Sequence, residues 1–167
     1  GVDVDRFIMN EIKKSPSAAH SKIDLEVARQ VKLANCKLET ESLLKKKEPV
    51  SGALEAKWSL PDGAVISLSQ AVIAANDCLF NPEKMGLVKL GIHELVNECI
   101  MQADYEMRRE LFNNIVLSGG NFNSQGMPAK FNEYMHRLVP NNFKLRVEEV
   151  ENYQNLAWMG GSIVSSL

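Results

Sequence analysis

No apolar run in this chain approaches the roughly 20 residues that a helix needs to cross a bilayer, which excludes a helical span within its 167 residues. The first residues also lack the basic-then-apolar pattern of a secretory leader. Neither sign of charge dominates: 19 Lys and Arg stand against 21 Asp and Glu, for a formal net charge of -2. That balance gives no global attraction to nucleic acid or to an anionic membrane. Cysteine is scarce. Cys36, Cys78 and Cys99 are odd in number and lack metal-ligand spacing, as expected of reduced thiols in a cytosolic or nuclear protein. Nothing in the placement of His20, His93 or His136 recommends a catalytic cysteine pair, so buried, inert thiols are expected. No internal repeat is visible.

What is present is ordinary for a globular chain: 45% hydrophobic and 24% charged residues. The length allows one core or two small lobes. Val4, Phe7, Ile8 and Ile12 recur at helical spacing and predict a helix from Asp3 to Lys14, broken by Ser15-Pro16-Ser17. A second helix is predicted from Asp24 to about Cys36. Glu39 to Ser51, with Lys45-Lys46-Lys47, reads as a surface loop. Lys57 to Leu60 and Ala64 to Leu68 flank Pro61-Asp62-Gly63, a hairpin signal. Short or amphipathic helices are predicted over Gln70 to Asp77, Gly91 to Ala103, Glu106 to Phe112 and Pro128 to Val139, the last with Phe131, Tyr134, Met135 and Leu138 inward. Strands are predicted over Asn114 to Ser118 and Phe143 to Val147. Asn155 to Met159 leads to Gly160-Gly161 and a final helix. The class is α/β.

One unit carries the strongest signal. The apolar strand Ile115-Val116-Leu117 runs into Gly119-Gly120-Asn121, and a helix follows. Glycines there let a flat or anionic ligand approach the backbone, and a helix N-terminus offers free N–H groups. By itself the glycine pair reads equally as a tight turn. The surrounding words decide it: Leu60-Pro61-Asp62-Gly63, Leu79-Phe80-Asn81-Pro82, Gly91-Ile92-His93-Glu94, Leu111-Phe112-Asn113-Asn114-Ile115-Val116-Leu117-Ser118-Gly119-Gly120 and Trp158-Met159-Gly160-Gly161-Ser162-Ile163. In this order and spacing they resemble the C-terminal half of actins and actin-related proteins, from about Asp3 to the last residue.

The resemblance implies an actin-like ATPase (ribonuclease-H-like) half-domain with an inserted, mainly helical lobe. Residues 1–88 would be the outer lobe, subdomain 4, and 89–167 part of the inner lobe, subdomain 3. It also implies the adenosine-side wall of a nucleotide cleft, with Arg29, Lys32, Gly119, Gly120, Asn121, Ser124 and Gln154 facing ATP or ADP. Three departures weaken that wall. Ser124 stands where the family presents an aromatic ring, and serine has no comparable stacking area. Leu33 replaces a carboxylate that would accept from the ribose, which leucine cannot do. Gln154 replaces a lysine near the base. The bland alternative for Arg29 and Lys32 is one solvated basic face.

The same resemblance places the phosphate loops, the magnesium site and the water-orienting residues before Gly1. Without them this chain is expected not to hydrolyse ATP, since phosphoryl transfer rests on positioning and charge stabilisation; the parent would be at most a weak ATPase. The absence of an initiator methionine and the ending within a continuing helix are expected of a piece of a longer polypeptide. Such a piece would carry an uncovered sheet edge, which invites self-association. His93 is expected to be structural, and Asp104, Glu106 and Glu110, alternating with Arg108 and Arg109, a solvated face or protein contact rather than a metal cluster.

Protein partners, whether filament neighbours or subunits of a complex, are expected at Lys84, Met85, Leu87 and Val88, a projecting apolar tip with charged edges, and at Arg108 and Arg109. Ile163, Val164 and Leu167 read as helix core. The leading expectation is a cytoplasmic, cytoskeletal actin-like protein; Arg108 to Phe112 and Asp3 to Phe7 resemble the dynactin-associated branch. A nuclear subunit of a chromatin-remodelling complex is the alternative, and from another class an ATP-hydrolysing enzyme of the same superfold. Those enzymes share the glycine loop but not Leu-Pro-Asp-Gly or Trp-x-Gly-Gly-Ser at these spacings.

Overall fold

Val4, Ile8 and Ile12 fall four residues apart, which stacks them on one face of a helix. In the computed structural model that helix, α1, spans Val2–Lys13, and all three side chains are buried. The structure describes residues 1–15, 23–38, 56–60, 63–150 and 152–167. The 39–51 loop, His20, and the breaker residues Pro16 and Ser17 lie outside them. The chain divides into two units, Gly1–Lys89 and Leu90–Leu167.

In the first unit, α1 packs against α2 (Leu25–Asn35). Asp24 caps α2, its carboxylate accepting from the N–H of Val27 at 3.0 Å. Such a cap contributes about 1 kcal/mol. Val27, Ala28 and Val31 turn inward and join Val4, Ile8 and Ile12. The hairpin forms as predicted: β1 (Ala56–Ser59) pairs antiparallel with β2 (Val65–Leu68). Gly63 takes φ 83° and donates its N–H to the Leu60 carbonyl at 2.9 Å, a backbone state that glycine adopts at little cost. Ile66 and Leu68 drop into the core while Val65 and Ser67 face out. The helix predicted to reach Asp77 stops sooner: α3 is Gln70–Ile73, and Ala75–Leu79 continues as a 3-10 helix. A second 3-10 turn, Pro82–Met85, ends at Gly86 with φ 72°.

The second unit opens with α4 (Ile92–Gln102), where the Gly91 N–H donates to Glu94 Oε2 at 2.7 Å. Next come α5 (Tyr105–Phe112), β3 (Ile115–Val116), a 3-10 turn (Gly120–Asn123), α6 (Met127–Leu138) and β4 (Val147–Glu148). β3 and β4 are parallel, with Ile115 opposite Val147. Parallel strands need a crossover, and α6 provides it, which makes this a β–α–β unit. Phe112, Ile115, Leu117, Met127, Phe131, Met135 and Tyr153 are buried. Both strands are shorter than their alternation predicts, because only two residues of each find a ladder partner.

Several other expectations are corrected. Leu138 is exposed, not inward. α7 (Leu156–Ser165) runs through Gly160-Gly161 without a break; glycine is tolerated inside a helix at a cost of about 1 kcal/mol against alanine. Ile163, Val164 and Leu167 are exposed, so they are not helix core, and Trp158 is exposed beside them. Cys36 and Cys78 are buried as expected, whereas Cys99, on the outer face of α4, is exposed.

Candidate functional site

The strand-to-helix turn of the second unit is set by Gly119. Its φ of 110° and ψ of 154° lie in a region that only glycine occupies readily. Its N–H donates to the Tyr153 carbonyl at 2.8 Å, and the Ser118 hydroxyl reaches the same oxygen at 3.5 Å. The loop after β3 is thereby tied to the loop before α7. Phe122 secures it from within, edge-on to Phe131 at 6.0 Å and tilted against Tyr153 at 6.2 Å.

Between these two loops lies a hollow of about 550 Å³, lined by Phe122, Asn123, Ser124, Gln125, Gly126, Pro128, Asn152, Tyr153, Gln154 and Asn155. That volume is within the range of small-molecule sites, about 300–1,000 Å³. Asn123 Nδ2 donates to Gln154 Oε1 at 3.4 Å, joining the two rims. The Asn155 N–H donates to Asn152 Oδ1 at 3.3 Å, which shapes the second rim. No lining side chain is charged. Five carboxamides, one serine hydroxyl and two aromatic rings make a surface that hydrogen-bonds through donors and acceptors alike.

Ser124 and Gln154, singled out from sequence, thus line one hollow, although thirty residues separate them. Gly119, Gly120 and Asn121 form the turn behind it and are half-buried. Sequence reasoning missed the amides at Asn123, Gln125, Asn152 and Asn155; their density in two short segments was the available signal. Gly126, at φ 83°, starts α6 beside the hollow.

Arg29 and Lys32 lie on α2, in the other unit. They do not share a solvated face: Arg29 is exposed, whereas Lys32 is buried. Its ammonium forms a 2.6 Å ion pair with Asp5 of α1. Leu33, next to it, is exposed. The 167 residues match the family model for actin over residues 6–167.

The chain belongs to the actin family. It is 30% identical to actin-related protein 2 of Acanthamoeba castellanii over 179 aligned residues, which take in all of this chain and 46% of that relative. The chain therefore spans less than half the length of the relative it matches. Actin-family members act with ATP or ADP and a divalent metal, and the residues present fit that group only in part. The uncharged hollow suits the neutral nucleoside end. Among the described residues no group of three His, Cys, Asp or Glu side chains is placed to hold a metal ion.

Other residues singled out from the sequence have structural surroundings. His93 stacks on Tyr134 at 4.8 Å, and burial holds its pKa below the usual 6.5, against a smaller upward pull from Glu94. Burial pushes the Cys36 thiol up to about 12 despite nearby Lys32, and its Sγ–H donates to the Val72 carbonyl at 3.1 Å. The projecting tip is narrower than expected. Met85 packs against the first unit's core and Lys84 pairs with buried Asp77, which needs a cation; Val88 alone of the four is fully exposed. Arg108 donates from Nε to the Ala103 carbonyl at 2.9 Å and lies over the Tyr105 ring, while Arg109 is exposed. Among the described residues no helix is long and apolar enough to cross a membrane.

Proposed function

We propose that this chain serves as the adenosine-facing wall of a nucleotide cleft in an actin-like protein, and as a structural and interaction element rather than a catalyst. The observation that carries this reading is the hollow shared by Ser124 and Gln154. Its carboxamides match the hydrogen-bonding edge of a purine, as Asn and Gln do when they contact adenine. Its rings are already engaged with one another, so stacking on a base is weaker than a free aromatic would give. The wall holds the nucleoside loosely, and no carboxylate, histidine or cation lines it to act on magnesium or phosphate. When bound, that group would supply charge stabilisation for phosphoryl transfer; this chain's residues would only orient its neutral end.

The protein is proposed to act in the cytoplasm as part of a cytoskeletal filament or complex, with Val88 and Arg109 as exposed contacts. Titration of the isotopically labelled chain with adenosine tests the wall. Saturable shifts at residues 122–126 and 152–155 are the expected result, and their absence contradicts it.

A further inference from the structure

The carboxamides that line the hollow are of two kinds, set apart by the hydrogen bonds they already make. Asn152 is fixed. Its Oδ1 accepts from the Asn155 N–H at 3.3 Å, a backbone group that can only donate, so its Nδ2 is left as a donor. Asn123 and Gln154 are reversible. Nδ2 of the first donates to Oε1 of the second at 3.4 Å, and turning both amides over keeps the bond with donor and acceptor exchanged. In either state the bridge uses one donor and one acceptor and leaves one of each for a ligand. Gln125, exposed on the first rim, carries the same two groups on a side chain that turns in the same way.

We propose that the hollow takes purine nucleosides as a class and does not select adenosine over its 6-oxo analogue, inosine. The proposal rests on the reading of the hollow as a nucleoside wall and names what that wall accepts. The two bases differ at one edge. Adenine presents an acceptor at N1 and a donor at its 6-amino group, whereas hypoxanthine presents a donor at N1 and an acceptor at O6. A carboxamide pairs with the first edge in one orientation and with the second after a half-turn. Asn152, which cannot turn, needs only an acceptor, and the ring nitrogens N3 and N7 supply one in every purine. Strong rejection of one base would require, at the edge that differs, a group held as donor only or acceptor only, which the wrong base leaves unpaired.

The test titrates the full, isotopically labelled chain separately with adenosine and with inosine. Saturable shifts at residues 122–126 and 152–155 are expected from both, with dissociation constants within about fivefold of one another. A larger difference in either direction overturns the proposal, while the adenosine shifts keep the nucleoside wall; absence of adenosine shifts sinks both. Gln154→Glu then removes the reversibility. A carboxylate only accepts, so Asn123 must donate to it and two acceptors are left for the ligand. Adenosine still finds its partner and inosine loses one, which is expected to move the ratio to about tenfold in favour of adenosine. Asn123→Asp makes the same change from the other rim and replaces the first variant if that one fails to fold. A folded variant whose ratio stays that of the native chain overturns the proposal.

Discussion

The backbone N–H of Gly119 meets the carbonyl of Tyr153 at 2.8 Å, a bond that joins residues thirty-four positions apart and brings the two rims of the hollow side by side. Through it, Ser124 on the first rim and Gln154 on the second come to line one space. The bond depends on a backbone state that a side chain would oppose.

Gly119→Ala is therefore expected to cost about 1–3 kcal/mol, the usual penalty for holding a non-glycine residue in this region. The cost is one of backbone, since nothing lies within 4 Å of where a Cβ would stand. Gly120 has the same open surroundings without positive φ, so Gly120→Ala should change stability by less than about 0.5 kcal/mol. Urea unfolding of the two variants measures the difference.

The Asp5–Lys32 pair makes a second prediction. Lys32→Met leaves the Asp5 carboxylate buried and unpaired, and the loss should reach about 3–5 kcal/mol. Adding Asp5→Leu removes the stranded charge and should restore most of it. Equal stability of the single and double variants in urea would show that the pair is not coupled.

His93 sets a pH dependence. Burial lowers its pKa in the fold, so the unfolded chain binds the proton more readily. The contribution of this site to stability is complete above the unfolded value near 6.5, falls as pH drops through that value toward the lower folded one, and is constant beneath it. Lys130 and Arg137 already lie against the Tyr134 ring on which His93 stacks, so a protonated imidazole would bring a third cation there. His93→Gln should flatten the difference between urea midpoints at about pH 7.5 and about pH 5.

Thiol reactivity should sort the cysteines. The exposed Cys99 is expected to react first with a disulfide reagent in the native chain. Cys36 and Cys78, buried and with pKa values pushed up by that burial, should wait for unfolding, since the thiolate is the nucleophile. Counting labels by mass before and after denaturation checks this.

The helical seams were legible because they rest on local periodicity. Val4, Ile8 and Ile12 announce their face within three turns, and Pro61-Asp62-Gly63 announces the hairpin within one. The Asp5–Lys32 pair was not legible, since two charged residues in separate amphipathic helices each read as solvent-facing until the helices are docked. The family resemblance implies Ser124 and Gln154 as neighbours of one ligand; the amides around them carry no periodicity, and only their density in two short segments marks them before the two loops meet. β3 and β4 are shorter than the alternation predicts, because alternation reports a half-buried extended backbone, whereas a ladder also requires a partner. Gly160-Gly161 reads as a lead-in to the final helix, yet Leu156–Ser165 is continuous through both glycines although none of its residues is buried, since glycine weakens a helix by only about 1 kcal/mol per residue.

Titration of the whole chain with ATP and magnesium, followed by calorimetry and backbone shifts, is the most direct test. With an uncharged hollow whose two rings are already engaged with one another, binding should be no tighter than about 1 mM, with shifts gathered at 119–126 and 152–155. Micromolar affinity, or shifts that bypass those two rims, would contradict the account.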